Sequence, residues 1–587
     1  MTKPGYLLLT ILFILCSDDA WSQVSFRERA QIAGIDYQHN GFMYIGGIAV
    51  CDFDGDGSQD IYITNGEGFP NQLYLNNKDE TFSEVGQASG VADLSEGWGA
   101  ICADIDNDGD ADIYLTNYFG ENKLFLNDGK AFFTDATAEA GVGDVGPSTS
   151  AALVDYDNDG YLDIYVLNRS QAVIDYANRL YRNNGDGTFS DVTDSSGSGD
   201  MGTSLAVGIF DYDNDNYPDI YVVNEFGRDG LYHNNGDGTF TNLARELGIP
   251  LGAGMGVDFS DYDNDGDIDI YVTNLARDFL LTNNGDGTFE DNGEALGITN
   301  VTMAWGVNFF DYDNDGDEDI YVVNGAMAWP QIYSETNVFY INNGTLGFSE
   351  KASNMRLDDN GDGRASVCFD FNNDGYGDLL MINVSRGELR LFINQNSGNN
   401  WIKVKLEGTE SNRSGVGAKI KVEAGGVTQY KEIAVGASFA SMNSLVMGFG
   451  LNKEEIIEKM TVYWPSGVIQ EFTDISVNRL LKINESEESR SLKEIIDEVP
   501  QSFALLQNYP NPFNPETTIS YDLPTDGEVK ITIFNLSGQT ITLFDKGMQT
   551  SGSYELIWDS KENPSGIYFY KLQSGNFSQT KKMILLR

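Results

Sequence analysis
The sequence predicts an all-β chain: a seven-bladed β-propeller followed by two small β-sandwich-like domains. Three observations predict it. A nine-residue acidic loop recurs seven times, beginning at Asp52, Asp104, Asp155, Asp211, Asp261, Asp311 and Asp370. Each unit of about 50 residues carries four short strand-like runs, the length and content of a propeller blade. Behind the repeats come two segments with the period-two alternation of half-buried strands, WIKVKLEG at 401–408 and VKITIFNLSG at 529–538.

Composition bounds the function. The chain has 587 residues, with 90 acidic against 36 basic, a net charge of −54. Such a chain repels DNA, RNA and anionic membrane surfaces and attracts cations, so no nucleic acid is expected as a partner. Residues 1–22 read as an export signal. Lys3 opens it, Tyr6 to Cys16 is an apolar run too short to span a bilayer, and Ala20-Trp21-Ser22 places small residues for cleavage before Gln23. Leu15 is too large before Cys16 for lipoprotein cleavage. No later segment is long and apolar enough for a membrane helix, so no membrane insertion is expected in the mature form. Cys51, Cys102 and Cys368 each end an apolar run and read as small buried filler, with no disulfide expected to hold the fold together.

Within a unit, an apolar run such as LAVGIF at 205–210 precedes the loop and a strand-like run such as DIYVVN at 219–224 follows it. Three units then carry NNGDGTF (183–189, 234–240, 283–289), which reads as a hairpin turn between two strands, with a metal site as the alternative. Most units close on a pattern like FTDATAEAGV at 133–142. The seventh lacks that ending, and it stands by itself at the N-terminus as FRERAQIAGI, 26–35. The N-terminal segment is therefore expected to supply the outer strand of the last blade, leaving no open sheet edge.

The loops read D-x-D-x-D-G-x-x-D. Carboxylates at positions 1, 3 and 5, a carbonyl at position 7 and Asp at position 9 form a set of hard oxygen ligands suited to Ca²⁺. The predicted metal residues are Asp52, Asp54, Asp56 and Asp60; Asp104, Asp106, Asp108 and Asp112; Asp155, Asp157, Asp159 and Asp163; Asp211, Asp213, Asp215 and Asp219; Asp261, Asp263, Asp265 and Asp269; Asp311, Asp313, Asp315 and Asp319; and Asp370, Asn372, Asp374 and Asp378. Up to about seven Ca²⁺ are expected. An EF-hand needs Glu at position 12; here it is Ile63, Leu115, Val166, Val222, Val272, Val322 or Met381, all strand formers. Two loops deviate: Asn216 replaces the position-6 glycine, a conformation Asn tolerates, and Asn372 removes one charge from the seventh loop.

These units resemble the integrin-type FG-GAP, or VCBS, repeats. The resemblance implies calcium loops between the first two strands of each blade in a structural role, and ligands on the opposite face. NRSGVGAKIKV, GFGL (448–451) and VYWPSG resemble the ASPIC/UnbV domain, and that pairing resembles the cartilage acidic protein family. The last segment, opening FALLQNYPNPFNP and ending KKMILLR, resembles the C-terminal sorting domain of type IX secretion cargo in Bacteroidota. It implies a partner in the type IX secretion machinery and passage across the outer membrane to the cell surface or medium. The expected domains are a signal peptide (1–22), the propeller (23–400), an ASPIC/UnbV-like domain (401–485), a charged, partly helical linker (486–500) and the sorting domain (501–587).

No catalytic constellation stands out. There are two histidines, His39 and His233, so a histidine-assisted nucleophile is not expected; nor is there a phosphate-binding glycine loop or zinc spacing. The expectation is a non-catalytic, secreted or cell-surface binding or adhesion module for an extracellular glycan or protein. The alternatives are a calcium-dependent, lyase-like enzyme on extracellular polysaccharide and a purely structural envelope protein. The varied loops away from the aspartates hold Trp98, Tyr118, Phe119, Tyr176, Phe226, Arg228, Arg277, Trp305, Trp329 and Tyr333, which read either as a binding face or as plugs of the central channel.

Overall fold
A computed structural model describes residues 25–40, 46–170, 174–326, 335–384, 387–486 and 489–491, and most of 504–586. The proposed signal peptide, Trp329 and Tyr333 lie outside the described residues, as does most of the linker expected to be partly helical. Two compact units are defined: one reaches to Ser489 apart from residues 472–476, and the other comprises those residues and the C-terminal segment.

Among the described residues of the first unit, seven four-stranded antiparallel sheets lie between Phe26 and Asn394. The second sheet shows the pattern, with strands Gly97–Ala103, Asp112–Asn117, Lys123–Asn127 and Phe133–Asp135. Its first two strands are buried along their whole length, which is why they read as near-continuous apolar runs. The first strands of successive sheets touch one another, and that of the seventh (Gly363–Phe369) touches that of the first (Ile48–Cys51). The seventh sheet takes its outer strand from the N-terminal segment: Phe26–Glu28 runs antiparallel to Glu388–Asn394, Phe26 opposite Asn394.

A second device closes the ring. Each third strand ends in an asparagine whose side-chain amide donates to a backbone carbonyl in the acidic loop of the preceding sheet. The bonds run from Asn127 to Phe53, Asn183 to Ile105, Asn234 to Tyr156, Asn283 to Tyr212, Asn342 to Tyr262 and Asn394 to Tyr312. Asn76 completes the circuit by donating to Phe371. These buried amides satisfy carbonyls that no strand partner reaches.

One cysteine expectation is overturned. Cys51 and Cys102 form a disulfide, and among the described residues Cys368 is a free thiol. The two bonded residues end the first strands of adjacent sheets, so a separation of 51 residues, one repeat, places their Cα atoms 6.5 Å apart. That distance lies within disulfide reach.

Residues 401–471 and 477–485 continue the first unit. Trp401–Glu407 pairs antiparallel with Met447–Gly450 and parallel with Arg479–Asn484. Lys419–Ala424 lies between Val427–Glu432 and Ile456–Tyr463. Burial alternates along Trp401–Glu407 and Lys419–Ala424, in step with the sequence. In the second unit, one sheet holds Glu516–Leu523 and Gly552–Asp559, and another runs Thr540–Gln549, Gly527–Asn535, Gly566–Ser574, Phe577–Leu585. The two share a core that includes Ile519, Tyr521, Ile531, Trp558 and Tyr570.

Candidate functional site
The acidic loops join the first strand of each sheet to the second, so all seven lie at one end of their sheets. In the second loop, Asp104 accepts the Asp108 and Gly109 backbone N–H groups at 3.0 and 2.7 Å. Asp106 and Asp108 take the N–H groups two residues on. The first aspartates of the third to seventh loops accept the same pair of N–H groups. The turn needs two left-handed residues. Position 6 is glycine or Asn216 (φ 71°), and position 4 is Gly55 or one of six asparagines, such as Asn107 at φ 62°. The position-4 requirement was not anticipated. Its side chain also links neighbours: Asn107 donates to the Gly160 carbonyl and Asn314 to that of Gly375.

The ninth-position aspartate does more than close the turn. Asp60 accepts the Phe53 N–H on one oxygen and the Asn76 N–H on the other, at 2.9 and 2.8 Å. Asp112 repeats this with Ile105 and Asn127, and Asp319 with Tyr312 and Asn342. These side chains are buried and tie the first hairpin to the third strand. The NNGDG segments are hairpin turns: Asn184 and Thr188 close one of them, with Asp186 accepting from Thr188.

The loops converge carboxylates. Asp52, Asp54 and Asp60 bring ligand atoms within 4.8 Å of one another, as do Asp104, Asp106 and Asp108; Asp155, Asp157 and Asp163; Asp211, Asp213 and Asp215; and Asp213, Asp219 and His233. Burial raises the pKa values of these groups: Asp60 and Asp112 are pushed up to about 8, and Asp104, Asp155 and Asp261 to about 7. Desolvation is the main cause, and neighbouring aspartates add to it. Buried Oδ1 atoms of Asp52, Asp157 and Asp313 have no hydrogen-bond partner. Desolvated carboxylates, crowded together with oxygens left over, fit a hard divalent cation, and the residues present could hold Ca²⁺ at positions 1, 3 and 5.

Some loops carry internal cations. Arg182 pairs with Asp157 at 2.7 Å and Asp159 at 2.8 Å, and Lys78 lies 3.3 Å from Asp56. His233 Nδ1 is 3.2 Å from Asp219 and 3.6 Å from Asp213, with the Asp219 contact holding its pKa above the usual imidazole value. Residues 401–485 supply others: Lys419 bonds Asp211 at 2.7 Å and Asn214 at 2.8 Å, Lys403 bonds Asp370, and Lys431 pairs with Glu318. The ASPIC/UnbV-like segment thus lies against the aspartate-loop end of the sheets, a placement not legible in the sequence.

It also fills the channel. Val435, Ser438 and Met442 bridge the first strands at Leu153, Val257 and Ala49. The Ser438 N–H donates to the Val257 carbonyl at 2.6 Å and the Val257 N–H returns to Ser438 at 3.1 Å. Asn443 Oδ1 accepts the Cys368 N–H at 2.9 Å and the Asn308 amide. Phe439, fully buried, meets Trp305 edge-on at 5.1 Å, in a cluster with Trp98, Leu205 and Met255. Glycines make room for it: a Cβ on Gly47 would stand 2.4 Å from the Ala440 carbonyl. Trp98 and Trp305 are therefore channel residues and not surface anchors. Tyr118 packs between Trp98 and Phe119, and Arg277 pairs with Asp291.

The opposite end presents a different surface. Phe119 and Phe226 are each 61% exposed. With them stand Phe69, Leu94, Val145 and Val301, exposed large apolar residues in turns from second to third strands or from one sheet to the next.

Comparison with known proteins agrees with this architecture. Residues 52–115, 104–166, 171–222, 211–272 and 261–322 match the FG-GAP-like repeat, 408–490 match ASPIC and UnbV, and 507–586 match the secretion system C-terminal sorting domain. The chain is thus an FG-GAP-repeat protein carrying an ASPIC/UnbV domain and a secretion sorting domain, and it is exported to the cell surface or secreted. It is similar to cartilage acidic protein 1 of Homo sapiens, 30% identical over 210 residues, which are 32% of this chain and 31% of the relative. It is also similar to that of Xenopus tropicalis, 34% identical over 141 residues, 23% of this chain and 21% of the relative. The match spans about a third or less of these relatives' length. Among solved structures, an Agrocybe aegerita lectin that recognises non-reducing terminal N-acetylglucosamine aligns at 21% identity, covering 61% of this chain and 89% of its own, with a TM-score of 0.37. A fucose-specific lectin from Aleuria aurantia aligns at 14% identity, covering 54% and 96%, with a TM-score of 0.33. Likeness at that level says nothing of what this chain binds.

Proposed function
We propose that this protein is a calcium-loaded seven-bladed β-propeller that works outside the cell as a non-catalytic binding or adhesion module. Its working face is the end opposite the aspartate loops. The observation that carries this reading is the exposed apolar rim on that end. Single exposed apolar residues are ordinary; these six support the reading because they share the end opposite the aspartate loops. Aliphatic members such as Leu94, Val145 and Val301 suit a protein surface better than a sugar ring, while Phe119 and Phe226 suit either. Calcium in the loops is a scaffold in this reading: it neutralises the buried aspartates and pins the hairpins that carry the rim. The non-catalytic reading draws on the scarcity of candidate bases, His39 and His233 being the two histidines of the sequence.

The test is retention of the full chain on immobilised extracellular proteins and polysaccharides, with and without calcium, while assaying for released fragments. Calcium-dependent retention without product, lost in the double variant Leu94→Asp with Phe226→Asp, is expected. Release of reducing or unsaturated ends would make the protein an enzyme. Retention untouched by the double variant would move the site elsewhere.

A further inference from the structure
Seven loops share one pattern, yet two of them meet a half-buried ammonium group at their first aspartate. Lys419 and Lys403 are held in strands of the ASPIC/UnbV domain, with side chains only 21% and 14% exposed, against Asp211 and Asp370 at 3% and 4%. Lys419 also bonds Asn214 of the same loop. The same two loops carry a second substitution for an ion. In the fourth, the His233 ring lies against Asp219 and Asp213. In the seventh, Asn372 replaces a carboxylate and donates its amide to Asp374 at 2.8 Å. The cations near the first and third loops differ in kind. Lys78 and Arg182 are 50% and 39% exposed, and Lys405, 3.9 Å from Asp52, is 44% exposed; all can swing into water when an ion arrives. Lys431 pairs with Glu318, outside the ligand positions. The buried oxygens without hydrogen-bond partners lie in other loops, although the second and fifth loops show none either and the fourth holds the unpartnered His233 Nδ1. Asp52, Asp157 and Asp313 belong to the first, third and sixth loops, and none of the orphaned oxygens found among the described residues belongs to the fourth or seventh.

We infer that the fourth and seventh loops are closed by the ASPIC/UnbV domain in place of calcium, so that the chain binds five ions and not seven. Lys419 and Lys403 are built-in cations: they neutralise the first aspartate of each loop and fasten the second domain to the propeller. A calcium ion entering either loop would face a half-buried positive charge with less room to turn into water than Lys78, Arg182 or Lys405, and this like-charge contact lowers its affinity. The domain is in this respect a permanent occupant of two metal sites.

The inference rests on the calcium reading above, and the experiment separates the two. Calcium bound to the full chain is counted by equilibrium dialysis and elemental analysis at 1 mM free calcium, a level that fills extracellular sites of about 10⁻⁴ M affinity. Five ions per chain are expected. Asp213→Asn with Asp215→Asn, in the fourth loop, should leave the count at five. Asp263→Asn with Asp265→Asn, in the fifth, should lower it to four. Both pairs leave the lysines untouched, so the domain interface is not at risk. Lys419→Met should raise the count to six. Seven ions in the unaltered chain, or a drop with the fourth-loop pair, would overturn the inference while leaving calcium in place. A count of zero would overturn it together with the calcium reading.

Discussion

Replacing Phe439 by alanine tests whether the channel plug belongs to the core. Phe439 is fully buried and stacks edge-on against Trp305, 5.1 Å between ring centres. Removing a buried phenylalanine costs about 3–5 kcal/mol, from lost transfer energy and the cavity left behind. Collapse cannot relieve this readily, because Trp98, Leu205 and Met255 are fixed on first strands of separate sheets. The first unit spans 484 residues, roughly 460 without the expected signal peptide, so its unfolding entropy is about 1 kcal/mol/K and the melting point should fall by about 3–5 °C. Urea unfolding followed by tryptophan fluorescence reads the change directly, since Trp305 and Trp98 border the site. The propeller and the ASPIC/UnbV domain should still unfold in one transition, now at lower urea. A loss under about 1 kcal/mol would mean that the ring does not depend on the plug. Two separated transitions already present in the unaltered protein would refute the claim that the two form one cooperative body.

Three further outcomes are expected. Chelating calcium should lower the melting temperature reversibly, by up to about 2.7 kcal/mol for each ion held at 100 times its Kd, or roughly 3 °C per ion on the same entropy scale; an unchanged melt in chelator would sink the metal-scaffold argument. Replacing Cys51 and Cys102 by alanine should cost about 4 kcal/mol, the loop-closure term for a crosslink spanning 51 residues, read as a lower denaturant midpoint; an unmoved midpoint would refute it. Glu485 accepts the backbone N–H groups of Thr409, Glu410 and Ser411 and the hydroxyls of Ser411 and Ser466, and these hydrogen bonds hold its pKa down to about 2 despite burial. A carboxyl depressed in the folded state contributes stability above its unfolded pKa of about 4.3 and loses it as pH falls toward 2. Glu485→Gln should therefore be destabilised at pH 7, with its gap to the unaltered protein narrowing between pH 4 and 2; a gap independent of pH would exclude the ionised form as the one that matters.

What the sequence made legible was local and repeated. The aspartate loops announce themselves because a tight turn with three carboxylates needs fixed residue types at fixed offsets. The strand donated by Phe26–Glu28 was readable because its motif is missing from the seventh repeat and stands alone at the N-terminus. The plug was not readable. Residues 435–444, VGASFASMNS, have neither helical nor strand period, and their burial is decided by first strands from different repeats. The disulfide was missed for a related reason: Cys51 and Cys102 look like filler until the strands bearing them are set side by side. The asparagine staples carry a signal in hindsight, an Asn ending every third strand, but the bond each makes crosses to another repeat. Trp98 and Trp305 were open between surface and channel, and packing against Phe439 decides for the channel.

The strand that Phe26–Glu28 lends to the seventh sheet also bears on how the molecule comes to be. Hairpins within each repeat join residues only a few positions apart and can form early. The seam pairing Phe26 with Asn394 joins the two ends of the whole repeat array, and the Asn76 to Phe371 staple spans 295 residues. Contacts of such sequence separation come late, because chain entropy is lost before they repay it. Phe439 lies further along still, and its place in the channel needs first strands from several repeats set side by side. A chain interrupted before residue 394 would have six sheets and an unfinished seventh, with two raw edges exposed to whatever strand drifts past.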